Sequence, residues 1–205
     1  MVDLAGIKNI IFDYGRVIIN IDFKITIDAF KKLGFSEIEK AIFRSGSTKL
    51  LTQIEKGTLK PDEFYNQIRR ISNLPLTDKD IENAWNALLL DMPEKRIQLL
   101  KNLKNKYRIF LLSNSNIIHF QHYSQELKII HHTSFDQLFE KTWFSFNLKM
   151  TKPHLNIFKY VITDANIKPI ETLFIDDMEI NVAAAKKVGM KGYALLKGED
   201  VTDIL

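Results

Sequence analysis

Three short apolar runs in this chain each break off at a polar side chain. Ile10-Ile11-Phe12 ends at Asp13, Ile109-Phe110-Leu111-Leu112 at Ser113, and Leu173-Phe174-Ile175 at Asp176. Each run is too short for a helix and rich in β-branched or aromatic residues, as in a strand covered on both faces. Between the second and third runs, and after the third, lie segments with helical spacing. Strands alternating with helices imply an α/β fold, a doubly wound and mostly parallel sheet. In such a sheet the carboxyl ends of the strands share one edge, where open α/β folds hold their ligands. Each polar residue taken alone has a plain structural explanation: Ser113 as a helix cap, Asp13 or the Asp176-Asp177 pair as a cap favoured by the helix dipole, Lys152 as a surface charge. Their recurrence at strand ends is what points to a site.

The first run is followed by something different. From about Ile21 to Met92 there is no strand pattern, only successive helices. Phe23, Ile27, Phe30 and Leu33 recur at helical spacing and stop at Gly34; Ser36 with Glu39 has the form of a capping box. Pro61-Asp62-Glu63 opens a further helix with Phe64, Ile68 and Ile71 on one face, closed by Asn73-Leu74-Pro75. Thr77 with Asp80 starts another, carrying Ile81, Trp85 and Leu88. The expected organisation is a core of residues 1–17 and 93–205 with a helical insert, 18–92. In the core the pattern resumes with a helix from Pro93 to Lys104, the strand at 108–112, and a polar stretch with helical segments from Ile117 to Phe139. A short strand at Trp143-Phe144-Ser145 comes next, then helix His154 to Ala165, strand Thr172 to Ile175, helix Glu179 to Val188 and a fifth strand, Gly192 to Leu196.

Composition narrows the function classes. At 205 residues without cysteine, the chain is long enough to bury a core without disulfides, which fits a reducing compartment. No apolar run reaches membrane-spanning length, and Met1 to Lys8 carries no signal core, so the expected location is the cytoplasm. The net charge of +4 is spread among interleaved acidic residues, and no basic block is interleaved with aromatics. Nucleic acid and membrane are therefore not expected partners; monomer and dimer both stay open.

The polar strand ends have a legible chemistry. Carboxylates with a backbone carbonyl suit Mg²⁺. A lysine with hydroxyl and amide donors suits a phosphoryl group, and a carboxylate beside both can attack it as a nucleophile. In order and spacing, Phe12-Asp13-Tyr14-Gly15-Arg16-Val17, Leu111-Leu112-Ser113-Asn114, Lys152-Pro153 and Phe174-Ile175-Asp176-Asp177 with Asn181 resemble the four motifs of the haloacid dehalogenase-like hydrolases. The helical insert resembles that superfamily's cap. Ser113-Asn114-Ser115-Asn116, together with the glycine of the first motif, is similar to the bacterial branch that includes sugar-1-phosphate phosphatases.

The resemblance implies roles. Asp13 is the nucleophile; the Gly15 carbonyl and Asp176 join it on Mg²⁺, with Asp177 either a further ligand or a carboxylate just outside the ligands; Ser113, Asn114 and Lys152 hold the phosphate, with Lys152 also paired to Asp13; Asn181 supports the metal shell. It implies a Mg²⁺-dependent phosphatase of small soluble metabolites, sugar phosphates among them, acting through an aspartyl-phosphate. One departure stands out. Phosphatases of this superfamily usually carry a second aspartate two residues after the nucleophile, to protonate the leaving group and activate water. Here that position is Gly15, and Arg16 is no substitute because a guanidinium holds its proton. A metal-independent dehalogenase and a phosphate-binding protein that lost turnover are the rival readings.

Other features carry less. His119, His122, His131 and His132 match no common zinc spacing; His119 alone follows a motif closely enough to reach a site. Arg44 and Glu55-Lys56-Gly57 in the insert either face a substrate or are helix surface and a turn, the second being the favoured reading, and Trp85 and Trp143 read as core.

Overall fold

The computed structural model describes residues 2–43 and 48–205; Arg44 lies outside them. Among the described residues five strands form one parallel sheet. They are β1 (Asn9–Phe12), β2 (Arg108–Ser113), β3 (Lys141–Phe144), β4 (Thr172–Asp176) and β5 (Lys191–Ala194), in the spatial order β3-β2-β1-β4-β5. Phe12 is in register with Leu111 on one side and Ile175 on the other, and Asp13 N–H donates to Ile175 O at 2.8 Å. The chain builds outward from β1 through β2 to β3, then returns to add β4 and β5 on the opposite side. The connections leaving β1 and β4 therefore part in opposite directions, and a crevice opens between those two strand ends.

Side-chain alternation sends successive residues to opposite faces. Ile10, Phe12, Ile109, Leu111, Leu173 and Ile175 enter one core; Ile11, Phe110, Leu112 and Phe174 enter another. The first is covered by α6 (Glu94–Leu103), α7 (Ile117–Ile130), α8 (Phe135–Leu138) and α12 (Val201–Ile204). The second is covered by α10 (Leu155–Ala165) and α11 (Glu179–Lys187). Each fully buried Ile or Phe contributes about 1.5–3 kcal/mol, so these layers hold the strand ends rigidly.

Residues between β1 and α6 form α1 (Phe23–Lys32), α2 (Ile38–Phe43), α3 (Thr48–Glu55), α4 (Pro61–Ser72) and α5 (Asp78–Asn86). They have a separate core around Phe30, Ile54, Phe64, Ile68 and Trp85, joined by Ile118 from α7. Thr77 and Asp80 open α5 as expected, and they do so through a capping box. The helix expected to open at Ser36 begins as α2 at Ile38, after a turn beside buried Phe35. Ile71 is also not on the buried face: it is 45% exposed, beyond the Phe64–Ile68 stripe. In the core, the strand expected at Gly192–Leu196 is shifted towards the N-terminus, and Ser145 opens a short helix, α9 (Ser145–Leu148), instead of ending a strand.

The two crossings into the helical layer run side by side. Asn20 N–H donates to Asp91 O and Leu90 N–H to Asn20 O, both at 2.9 Å, and Asp22 N–H donates to Leu88 O. Buried Arg96, on α6, ties this ribbon to the start of α12. Its Nη1 reaches Ile18 O at 3.3 Å and Asn20 Oδ1 at 3.0 Å, while Nε and Nη2 both donate to Asp200. Burial works against an ionised Asp200, but the hydrogen bonds from Arg96, Thr202 N–H and Lys95 outweigh it and hold the carboxyl well below the usual range.

Two outcomes are expected. Arg96→Met strands several acceptors at once and should cost about 2–3 kcal/mol of stability in urea denaturation. A carboxyl lowered by folding stabilises above its unfolded pKa and loses that contribution as pH falls through its folded value. Asp200→Asn should therefore be destabilised relative to wild type at pH 7, with the gap closing progressively below about pH 4; a gap independent of pH would refute the ion-pair account.

Candidate active site

Asp13 follows the last residue of the central strand and is buried. Its Oδ1 accepts from Tyr14 N–H at 2.7 Å and lies 2.8 Å from Lys152 Nζ. The next residues make a tight loop in which Tyr14 O accepts from both Ile18 N–H and Ile19 N–H, and Arg16 N–H donates to Ile19 O at 2.7 Å. Tyr14 anchors this loop, its ring packed on Tyr123 at 4.6 Å and Phe135 at 5.4 Å. The left-handed residue of this turn is Arg16, at φ 60°, and not the neighbouring glycine. Gly15 has ordinary backbone, and a Cβ there would meet only the flexible tip of Ile21, at 3.1 Å.

Lys152 is buried beside Asp13. Its ammonium has three protons and three acceptors: Asp13 Oδ1, Asp176 Oδ2 at 2.6 Å and Leu112 O at 3.0 Å. Burial alone would lower its pKa; the two carboxylates prevail and raise it. Asn114 holds the Lys152 backbone from both sides, its Oδ1 accepting from Lys152 N–H at 2.9 Å and its Nδ2 donating to Lys152 O at 3.0 Å. The Asn114 amide therefore positions the lysine. Ser113 is buried at the end of β2.

Asp176 ends β4 and is fully buried. Its oxygens accept from Met178 N–H at 2.8 Å and from Asn181 Nδ2 at 2.9 and 3.1 Å, which fixes the carboxylate plane at the start of α11. Half-buried Asp177 faces Arg16 Nη1 at 3.4 Å. Burial and then Asp176 push its carboxyl above the usual range. Burial likewise pushes Asp13 up, against the pull of Lys152. Carboxylate oxygens of Asp13, Asp176 and Asp177 all lie within 4.8 Å of one another. Lys152 and Arg16 bring two positive charges against these three negative ones. An oxygen-only donor set with a surplus of negative charge fits a hard divalent cation such as Mg²⁺.

Between the strand ends and the helical layer lies a cavity of about 70 Å³, lined by Tyr14, Gly15, Ser113, Asn114, Trp85 and Glu55 among others. His119 is in its wall, but Asn116 Nδ2 donates to Nδ1 at 2.9 Å and Nε2 donates to Trp85 O at 3.1 Å. Burial lowers its pKa to about 4, so it is a neutral, satisfied ring stacked on Trp85. His131 pairs with Glu94, and among the described residues no histidine belongs to a metal-capable group.

Of the two readings of Glu55, the favoured one, helix surface, does not hold: Glu55 lines the cavity. It is partly buried and faces the cavity at the end of α3, one turn after Leu51, which also lines it. That polar residue continuing an apolar stripe was the available signal. Its backbone carbonyl accepts from Ser145 Oγ at 2.7 Å, and the adjoining Gly57, at φ +59°, accepts from Lys149 Nζ. A Cβ on Gly57 would lie 2.3 Å from Phe146 O, so only glycine lets the chain pass there. Burial raises the Glu55 carboxyl to about 7, with Lys152 pulling the other way.

Fold and site together define a hydrolase-type α/β protein with a carboxylate-lined, lysine-bridged crevice. The family model of haloacid dehalogenase-like hydrolases matches residues 7–189, and the chain belongs to that family. It is 30% identical over 199 residues to the D-ribitol-5-phosphate phosphatase of Bacteroides thetaiotaomicron, covering 95% of this chain and 94% of that one. A HAD family enzyme of the same organism, solved with magnesium and inorganic phosphate, superposes with TM-score 0.89 at 42% identity, over 95% of this chain and 97% of that one. A HAD-like hydrolase structure from Porphyromonas gingivalis gives 0.86 at 31% identity, over 95% and 93%.

Lys152→Met removes the cation between two buried carboxylates. In metal-free buffer it should cost about 3–5 kcal/mol of stability. Added Mg²⁺ should then raise the melting temperature more than it does in wild type, because a divalent cation takes over part of the lost charge balance. Equal Mg²⁺ shifts in the two proteins would place the metal away from Asp13 and Asp176.

Proposed function

We propose that this protein is a Mg²⁺-dependent phosphomonoesterase of small phosphorylated metabolites, with a polyol or sugar phosphate as the substrate class. The convergence of Asp13, Asp176 and Asp177 beside Lys152 carries this reading. It is supported by the polyol-phosphate phosphatase to which the chain is similar and by the magnesium and phosphate bound in its structural relative. Among the described residues no helix is long and apolar enough to cross a membrane. The reading places the reaction in the cytoplasm, on a small molecule, with no nucleic acid as partner.

In this reading Asp13 Oδ attacks phosphorus and forms an aspartyl-phosphate, which water then hydrolyses. Asp13, the Gly15 carbonyl, Asp176 and Asp177 would hold Mg²⁺, which supplies charge neutralisation between the nucleophile and the phosphate when bound. Tyr14 N–H and Lys152 fix the Asp13 carboxylate for in-line approach. Asn181 keeps Asp176 oriented. Ser113 and the main chain at Asn114 face the phosphate oxygens from the end of β2. Lys152 acts by its charge, since its protons are already shared among Asp13, Asp176 and Leu112 O. The helical layer α1–α5 is the cap that closes the crevice. Dehalogenase chemistry needs no metal and leaves the three-carboxylate cluster without a role.

Asp13→Asn is nearly isosteric. It should lower kcat on any accepted phosphate by at least about 10³-fold, as expected when a covalent route is lost. Retention of more than a tenth of wild-type kcat would sink the nucleophile assignment. A panel of phosphorylated metabolites assayed with Mg²⁺ and with EDTA decides the class: EDTA should abolish turnover, whereas a dehalogenase would keep releasing halide in its presence.

A further inference from the structure

An alkoxide is a poor leaving group, so a phosphatase of alkyl phosphates needs a proton donor at the departing oxygen. Gly15 cannot supply one. The titratable groups lining the cavity are Tyr14, Tyr123, His119 and Glu55. Tyr14 directs its hydroxyl to Met92 Sδ, and the Tyr123 hydroxyl is engaged with Ser115 Oγ at 2.9 Å; burial raises both phenols. His119 is neutral with both nitrogens occupied. Glu55 remains. Among the described residues no hydrogen bond to its carboxyl is present, its backbone is pinned to the core through Ser145, and the close approach at Gly57 fixes the end of α3 over the ends of β1 and β2.

We propose that Glu55 is the proton donor to the departing oxygen and the base that activates water in the second step, replacing the acid absent at Gly15. The assignment rests on the phosphatase reading above. In the first step an Asp13 oxygen lone pair forms the new P–O bond, the bond to the departing oxygen breaks with its electron pair, and that oxygen takes the Glu55 proton to leave as an alcohol. In the second, the Glu55 carboxylate takes a proton from water as the water oxygen bonds to phosphorus. The bond to Asp13 breaks, its pair returns to the Asp13 carboxylate, and inorganic phosphate leaves with Glu55 protonated again. A group held up to about 7 by burial is suited to both halves of this cycle at neutral pH.

Two substrates separate this role from a merely structural one. D-ribitol 5-phosphate has a poor leaving group; 4-nitrophenyl phosphate has a good one and needs no acid. With Mg²⁺, Glu55→Gln should slow D-ribitol 5-phosphate about 10²–10⁴-fold, without a burst. With 4-nitrophenyl phosphate the same variant should release one equivalent of 4-nitrophenol per active site rapidly and then turn over slowly, with phosphate trapped on Asp13 in acid-quenched samples. Glu55→Asp keeps the acid but withdraws it by one methylene, so it should recover part of the alkyl rate and lose the burst. The assignment is overturned if Glu55→Gln matches wild type, if it slows both substrates equally with no burst, or if Glu55→Asp is no better than Glu55→Gln. Wild type inactive on both substrates would overturn the phosphatase reading itself, a result distinct from any of these.

Discussion

The structure depends on one buried ammonium. Lys152 stands between Asp13 and Asp176, at 2.8 and 2.6 Å, and a carbonyl of β2 takes its third proton. A charge this deep is tolerable only with partners on every side, and removing any one leaves the others uncompensated in a low dielectric. That requirement reaches outward. Asn114 must clamp the Lys152 backbone, Asn181 and Met178 N–H must hold Asp176, and Tyr14 N–H must hold Asp13. The strand ends are thereby cross-linked by polar contacts where their apolar layers stop. The site is preorganised by the same contacts that let it fold.

The helical layer meets the core in two physically different ways. Along α5 and α7 aromatic packing is combined with hydrogen bonds: Ile118 enters the layer's own core, Trp85 stacks on His119 at 5.1 Å, and Trp85 O accepts from His119 Nε2 at 3.1 Å. At α3 and α9 it is polar, through Ser145 to Glu55 O and Lys149 to Gly57 O. The α3 end that carries Glu55 is thus tied to the core through hydrogen bonds to its own backbone and to Gly57.

The strand ends were legible in the sequence for a simple reason. A parallel strand buried on both faces must be a continuous apolar run, so its end is marked by the first polar residue, as at Asp13, Ser113 and Asp176. Helical caps were legible where side chain and backbone agree, as at Thr77 and Asp80. What the sequence did not display were contacts made across long separations. That Lys152 bridges Asp176 as well as Asp13, and that the Asn114 amide turns to the Lys152 backbone, are products of strand order. Glu55 was left undecided between surface and site for a related reason: a carboxylate on an amphipathic helix reads as solvent-facing unless the partner surface is known. Its position one turn after Leu51 acquires meaning only once Leu51 is seen to face a cavity.

Gly15 and Arg16 bring these points together. A turn after a strand can take its left-handed residue from glycine at no steric cost, yet here the left-handed residue is Arg16 and Gly15 has ordinary backbone. Backbone conformation therefore does not require glycine at position 15. What a side chain there would meet is Ile21 and the cavity behind it, the space over which the helical layer presents Glu55. An acid at position 15 and an acid at position 55 would compete for one small volume and, when both were ionised, repel each other close to Asp13. The small residue and the cap carboxylate are thus two halves of one arrangement, in which the loop is kept clear so that the acid can arrive with the cap. An acid carried by the loop is in place whether the crevice is open or closed; one carried by the cap is in place only when water is excluded.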